Sequence, residues 1–199
     1  MNVKEALKIT DSFTKTSKMP GLSYSLPAWA CQTGSKLRLV PTSTCFGCYA
    51  LKGNYTRDEA MKAAQYKRLE TITNPVWVEA MATKRKRERW FRSHDAGDLQ
   101  SSEHMATIIE VSGLTPDTKH WLPTQERQYL PKPEDVPENL IIRLSAAKVD
   151  GTAGNAWSHS STVVTDGSAS CPAPDQGGQC GDCRNCWSSD IKNISYGKH

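Results

Sequence analysis

Four cysteines near the end of the chain, spaced C-x8-C-x2-C-x2-C, limit its structure more than any other feature. They are Cys171, Cys180, Cys183 and Cys186. A two-residue gap lets neighbouring thiols reach one metal centre from a single tight turn, and the intervening glycines and prolines let the backbone wrap around it. Thiolate-rich sites of this kind suit iron–sulfur clusters or zinc. The segment therefore predicts a metal site.

A second cysteine group lies upstream, at Cys31, Cys45 and Cys48. The total of seven cysteines is odd, so they cannot all pair in intrachain disulfides. Three cysteines in C-x2-C-x2-C succession are more usual for an iron–sulfur cluster, whereas zinc prefers paired C-x2-C turns from two separate hairpins. Zinc on the last four cysteines is the alternative. Two clusters, or one cluster that takes ligands from both groups, agree equally with the sequence.

Charge and hydropathy set broad limits. The net charge of +4 permits contact with nucleic acid without arguing for it. The main basic block, residues 84–89, predicts either a solvated helix end or a nucleic-acid patch. No apolar run approaches the roughly 20 residues of a membrane span, and the N-terminus has charges where a signal peptide is apolar. We expect an intracellular protein, in which close cysteines bind metal more often than they form disulfides.

The middle of the chain alternates helical and strand patterns. Helices are predicted from a capping box at residues 56–59, from Asn74-Pro75 to about Arg87, and from Ser101 to Gly113. Strands are predicted at residues 89–93, 119–123, 140–144 and 161–165, with two short strands at residues 22–25 and 36–40 of the preceding irregular segment. This alternation predicts an α/β fold, either an incomplete (β/α) barrel or an open parallel sheet. We expect one domain: an irregular wrapping segment over residues 1–55, an α/β core over 56–165, and a cysteine loop and tail over 166–199.

Polar side chains follow each predicted strand. Because parallel strands present functional groups at their carboxyl ends, these side chains are expected at one rim, together with the C-terminal cysteine loop. We predict catalytic roles for His94, Asp95 and Asp98, and substrate-binding roles for Arg92, Glu126 and Ser145. The alternative is that Asp95 and Asp98 cap the next helix and fix the turn at Gly97. His120, inside a strand, is expected to be a packed core residue.

Several stretches resemble the phage-encoded gene-product-88 family, which is largely uncharacterised. The similar stretches are KMP at residues 18–20, SYSLPA at 23–28, TCFGCYA at 44–50, RSHDAGD at 92–98 and CGDCRNCW at 180–187. The segment Cys-x2-Cys-Tyr-Ala is also similar to radical-S-adenosylmethionine-like phage proteins. That resemblance implies a three-thiolate [4Fe-4S] cluster on Cys31, Cys45 and Cys48, with S-adenosylmethionine on its open iron. Here thirteen residues separate the first two cysteines, where that class has three.

Two functional hypotheses follow. In the first, the chain is an iron–sulfur enzyme of the host cytoplasm that acts on a small molecule or a modified nucleotide. The last four cysteines then fully ligate a second cluster. In the second, the metal only holds a loop-rich surface together, and the basic helix end contacts nucleic acid or a host protein.

Overall fold

The fold is a mixed helix and sheet structure, described here from a computed structural model over residues 1–85 and 88–198. Within those residues the helices are α1 (Val3–Thr10), α2 (Gln32–Leu37), α3 (Asn54–Arg57), α4 (Glu59–Thr71), α5 (Trp77–Arg85) and α6 (Ser102–Gly113). The strands are β1 (Thr14–Lys15), β2 (Leu22–Tyr24), β3 (Trp90–Ser93), β4 (Lys119–Thr124), β5 (Leu140–Ser145), β6 (Ser160–Val164) and β7 (Asn193–Gly197). None of the described helices is long and apolar enough to cross a membrane.

The strands lie in the sheet in the same order as in the chain. Strand β1 is antiparallel to β2, and every later neighbouring pair is parallel. The α/β prediction with a parallel sheet is therefore confirmed. Because each parallel step moves to the next position in the same direction, all the carboxyl ends from β2 to β7 lie along one edge.

One face of the sheet packs against helices. Phe91, Leu122 and Ile142 point to this face from successive strands and are almost fully buried. They form the main core with Trp77 of α5 and Ile108 of α6. Alternate side chains of a strand point to opposite faces, so this helix-side core determines which residues face the other way.

The opposite face is covered by the C-terminal cysteine segment. Trp187 is 5% exposed and packs edge-on against Trp90 of β3 and Trp121 of β4, with ring centroids 5.5 and 5.3 Å away. Its indole nitrogen donates to the Phe91 carbonyl at 2.9 Å. The segment therefore lies across the sheet face. This differs from the prediction that it would lie at the same rim as His94 and Asp98.

Several element predictions were wrong at the two ends of the chain. In the wrapping segment, β2 confirms the short strand predicted at residues 22–25, whereas residues 36–40 form the end of α2 and a turn instead of a strand. Helix α1, with a capping box between Asn2 and Glu5, and strand β1 were not predicted. The C-terminal tail contains strand β7, which closes the far side of the sheet. Asp58, rather than Thr56, caps α4 by accepting from the Met61 amide. Ser101 caps α6 as predicted.

The basic block at the end of α5 does not present all its charges to solvent. Lys84 Nζ donates to Thr10 Oγ1 and to the Asp11 carbonyl and lies 3.7 Å from the Phe13 ring centroid. Arg85 is 1% exposed, and burial lowers its pKa to about 9. These two cations therefore contact the interior of the protein and not the solvent. The Arg89 guanidinium lies 5.5 Å from the Trp90 ring centroid. Lys86 and Arg87 of the predicted block, where the helix was expected to end, lie outside the described residues.

Candidate metal centre

Cys31 and Cys45 meet beside α2, although thirteen residues separate them. A Cβ atom placed on Gly34 would lie 3.7 Å from the Cys31 sulfur and 3.8 Å from the Cys45 sulfur. Both thiols therefore flank the same small space, which a glycine in the first turns of α2 leaves open. The fold thus places close together two cysteines that local sequence could not pair.

The turn that holds Cys45 and Cys48 is fixed to the carboxyl end of β5. Thr44 donates its amide to the Ala147 carbonyl at 3.0 Å and its hydroxyl to the Ala146 carbonyl at 2.8 Å. Within the turn, the Cys48 amide donates to the Cys45 carbonyl at 3.2 Å, and Gly47 has a φ of +72° that favours glycine. The first cysteine group thus lies at the carboxyl edge of the sheet.

Glu126 positions Cys31 from the other side. Its carboxylate accepts from the backbone amides of Gln32 and Thr33 at 3.1 and 2.8 Å, and from the Thr33 hydroxyl at 2.6 Å. These amides belong to the first turn after Cys31, whose donors have no partner within the helix. Glu126 is fully buried, so the predicted substrate-binding residue instead fixes the backbone next to the first thiol.

Asp98 adds a second buried carboxyl group near the thiols. It accepts from the Thr124 hydroxyl at 2.6 Å and from the Gln125 amide at 2.8 Å. Burial raises its pKa to about 7, although these hydrogen bonds lower it. Burial likewise raises the pKa of Cys31, as do the charges of Asp98, Cys48, Cys45 and Glu126. Burial, with Cys48 and Asp98, raises the pKa of Cys45 to about 11. The groups acting most strongly on Cys31 are therefore all negative when ionised.

The four C-terminal cysteines form a separate group on the face of the sheet opposite the helices. Burial raises the pKa of Cys180, and the nearby thiols of Cys171 and Cys183 raise it further. Burial also raises the pKa of Cys186, which lies near Cys171 and 3.4 Å from the Tyr196 hydroxyl. The strongest thiol neighbours thus stay within each group, which favours two separate sites.

Arg143 holds this second group in place. Its guanidinium donates to the backbone carbonyls of Cys186 and Asn185 at 3.1 and 2.9 Å, and to those of Ser188 and Ile191, both at 2.9 Å. Arg143 is 0% exposed and comes from the middle of strand β5. A guanidinium presents five donors in a fixed fork, so one residue can order a loop that has little regular structure.

Arg92 lies between the two cysteine groups. Its guanidinium is 4.5 Å from the Trp121 ring centroid, and its electrostatic neighbours include Tyr49 and Asp95 on one side and Tyr196 and Cys186 on the other. No ion pair neutralises it among the residues that the structure describes.

The other predicted site residues lie away from the thiols or are occupied. His94 is 3% exposed, and its ring packs 5.2 Å from that of His104 in the helix-side core. Asp95 accepts from the hydroxyls of Ser25 and Tyr55, both at 2.8 Å, and so ties the loop after Cys48 to strand β2. The Ser145 hydroxyl contacts that of Ser161 at 3.1 Å. Only Asp98 and Glu126 are brought to the first cysteine group.

Sequence reasoning missed three residues that shape the two sites: Gly34, Arg143 and Tyr196. Arg143 had a usable signal, because a charged residue inside the apolar run LIIRLS implies a buried partner. Tyr196 lies in a tail that showed no strand pattern. In the described part of the chain, no three His, Cys, Asp or Glu side chains converge closely enough to hold one metal ion. The thiols instead form two more widely spaced groups. In an iron–sulfur cluster each thiolate binds a different iron, so its ligands need not converge on one metal ion.

The comparison with known families agrees with the resemblance in the sequence. The family model described as gene product 88 matches residues 2–189. The chain belongs to the phage gene product 88 family. No curated protein and no solved structure matches it. The match covers both cysteine groups and every strand from β1 to β6. It names no activity, so function must be argued from the geometry.

Proposed function

We propose that this gene product 88 protein is an iron–sulfur protein with a catalytic cluster on Cys31, Cys45 and Cys48. The observation that supports this best is the meeting of Cys31 and Cys45 around Gly34, at the carboxyl edge of the parallel sheet. Three thiolates leave one iron of a [4Fe-4S] cluster free for a small molecule. The radical-S-adenosylmethionine resemblance makes S-adenosylmethionine the ligand to test first.

The donor chemistry of the first site fits a cationic group. The thiol of Cys48 and the carboxyl of Asp98 raise the pKa values of Cys31 and Cys45, and a bound metal centre would reverse that effect. A cluster supplies electrons and an open iron when it is present. The chain itself contributes the rest: Glu126 fixes the backbone after Cys31, and Asp98 can hold or release a proton near neutral pH.

We assign the remaining four cysteines to a second, fully ligated [4Fe-4S] cluster. The Tyr196 hydroxyl lies 3.4 Å from the Cys186 sulfur and suits hydrogen bonding to it, and the positive charges of Arg92 and Arg143 act on the same thiol. Hydrogen bonds and charges of this kind tune the potential of a cluster. Trp187 shields the same place from water. Zinc is the competing assignment, because four cysteines also complete a closed zinc site, and the protein would then be a metal-stabilised module without catalysis.

The fold assignment can be taken one step further. A sequential row of parallel strands, with helices on one face, is the arrangement of a (β/α) barrel that has not closed. We propose that the sheet is such an incomplete barrel and that the face opposite its helices holds the second cluster. We further propose that the protein acts in the host cytoplasm on a small molecule or nucleotide.

Metal analysis after anaerobic purification tests the proposal. Two clusters predict about eight iron atoms per chain, and Cys48→Ala and Cys183→Ala should each retain about four. Ser35→Ala is a matched control, because its hydroxyl bonds only the nearby Gln32 carbonyl. A colourless protein with stoichiometric zinc would contradict the iron assignment. Loss of all iron in both variants would indicate one shared cluster.

A second measurement tests the catalytic part separately. The iron-loaded protein, reduced anaerobically with S-adenosylmethionine, should yield 5′-deoxyadenosine, and Cys48→Ala should not. An intact, reduced wild-type cluster that produces none would refute the radical reaction but not the iron assignment.

A further inference from the structure

Large apolar side chains are exposed around the first cysteine group. Among residues 29–49, five large hydrophobic side chains are between 42% and 78% exposed: Trp29, Leu39, Val40, Phe46 and Tyr49. They come from one short stretch that contains all three cysteines of that group. A concentration of exposed apolar surface at one place marks an interaction surface more often than chance.

A groove runs through this surface to a cysteine. Its volume is about 310 Å³, and its lining includes Trp29, Arg38, Leu51, Lys52 and Cys48. The Arg38 guanidinium lies 4.9 Å from the Trp29 ring centroid, and Lys52 Nζ lies 3.6 Å from where a Gly47 Cβ would be. One aromatic ring and two cations therefore line the groove.

The charge of this region is entirely positive. Residues 12–57 contain six Lys and Arg and no Asp or Glu, while the rest of the chain has 19 Lys and Arg against 21 Asp and Glu. The net positive charge of the protein thus comes from the segment that surrounds the first cysteine group. No ion pair in the described residues neutralises Arg38 or Lys52. An anionic ligand complements such a surface.

We propose that this aromatic and basic surface binds single-stranded nucleic acid. Exposed rings offer stacking faces to unpaired bases, and unpaired cations attract the phosphates. Trp29 and Phe46 supply the rings, and Arg38 and Lys52 supply the charges. A duplex keeps its bases stacked on each other and cannot use the rings. That the strand delivers a nucleotide to Cys48 and its cluster rests on the proposed function; the binding itself does not.

Fluorescence anisotropy with labelled oligonucleotides tests the inference. A 20-nucleotide oligo-dT or oligo-U should bind at least about tenfold tighter than a duplex of equal length, and its affinity should fall as salt rises. Trp29→Ala and Phe46→Ala should each weaken binding roughly tenfold. The double variant Arg38→Gln, Lys52→Gln should also weaken binding. The slope of log affinity against log salt concentration should become shallower by about two.

Two substitutions elsewhere are matched controls. Tyr66→Ala removes a 40% exposed ring on α4, and Lys132→Gln removes an exposed cation in a loop outside residues 12–57. Both should bind as tightly as wild type. The inference is overturned if the oligonucleotide does not bind, if the controls weaken binding as much as Trp29→Ala, or if the duplex binds equally well.

A labelled poly-glutamate peptide tests the alternative ligand of such a surface, an acidic protein. Equal binding of this peptide, with no effect of Trp29→Ala, would replace the inference with an acidic protein partner. Iron is measured on the same preparations. A preparation that contains iron but binds no oligonucleotide refutes this inference alone. One that binds the oligonucleotide but contains no iron refutes the proposed function alone.

Discussion

His120 should make the protein less stable in mild acid. It lies inside strand β4 with 0% exposure, as a packed histidine was predicted to. Arg85 Nη1 lies 3.1 Å from its Nδ1, and Thr115 Oγ1 lies 2.9 Å from its Nε2. Since a guanidinium can only donate, Nδ1 accepts and Nε2 carries the single proton. The Thr115 hydroxyl accepts a hydrogen bond from the Nε2–H group of His120 and donates one to the Val111 carbonyl. This hydrogen-bond network is compatible only with the neutral form of the His120 imidazole.

The size of the effect follows from the two pKa values. Burial, helped by the charge of Arg85, lowers the pKa of His120 to about 2, against about 6.5 in an unfolded chain. Below pH 6.5 His120 is therefore protonated in the unfolded state but stays neutral in the native state. The free energy of unfolding then decreases as the pH falls toward 2. Between pH 8 and pH 5 the loss is about 2 kcal/mol, at about 1.4 kcal/mol per pH unit. That is a large part of a typical total stability of roughly 5–15 kcal/mol.

Urea unfolding followed by tryptophan fluorescence measures this effect. Wild type and His120→Gln are compared from pH 8 to pH 5, because shared titrations cancel in their difference. The advantage of wild type should shrink by about 2 kcal/mol over this range. His159→Gln, in a loop beside Ser158, controls for removal of any histidine. Parallel curves for wild type and His120→Gln would show that the native ring accepts a proton, and would refute the closed network.

Three further perturbations address the support of the two cysteine groups. Arg143→Met should cost roughly 2–4 kcal/mol and speed proteolysis after residue 166, as measured by urea unfolding and limited digestion; equal digestion rates would contradict its anchoring role. Gly97→Ala should cost roughly 2–5 kcal/mol, because its φ is +79° and the new Cβ would lie 2.6 Å from a Leu26 atom. Gly154→Ala, with φ +74° and open space, should cost only about 1–2 kcal/mol in the same assay, and equal losses would exclude the clash. Glu126→Gln should cost roughly 1–3 kcal/mol and lower iron at the first group only; unchanged iron would show that the carboxylate does not position that group.

The parallel sheet was predictable because its central strands have strong local patterns. Runs such as LIIRLS are apolar enough to predict buried strands, and helices α4 and α6 each begin after a capping side chain. The outer strands were not predictable in this way. Strand β7 contains the sequence NISYG, whose position is fixed by pairing with β6 rather than by its own propensity. Helix α1 was missed although it begins with a local signal, the capping box between Asn2 and Glu5.

The candidate site was predictable in its ligands but not in its geometry. Cysteine spacing separates three thiols from four, and the structure keeps that division. His94 was misplaced because a strand end gives no direction for its side chain: a φ of +66° places its ring beside His104 instead of the thiols. Asp98, four residues later, does point to Cys31.

The two cysteine groups are therefore joined by the sheet and not by their own chain segments. Cys31 is held through Glu126, which follows β4, and the Cys45 turn is held through carbonyls that follow β5. The second group is held by Arg143, inside the same strand β5, from the opposite face. A single strand thus supports one group at its end and the other at its middle. Loss of order in β5 should release both groups together, whereas a change in either loop should release only one.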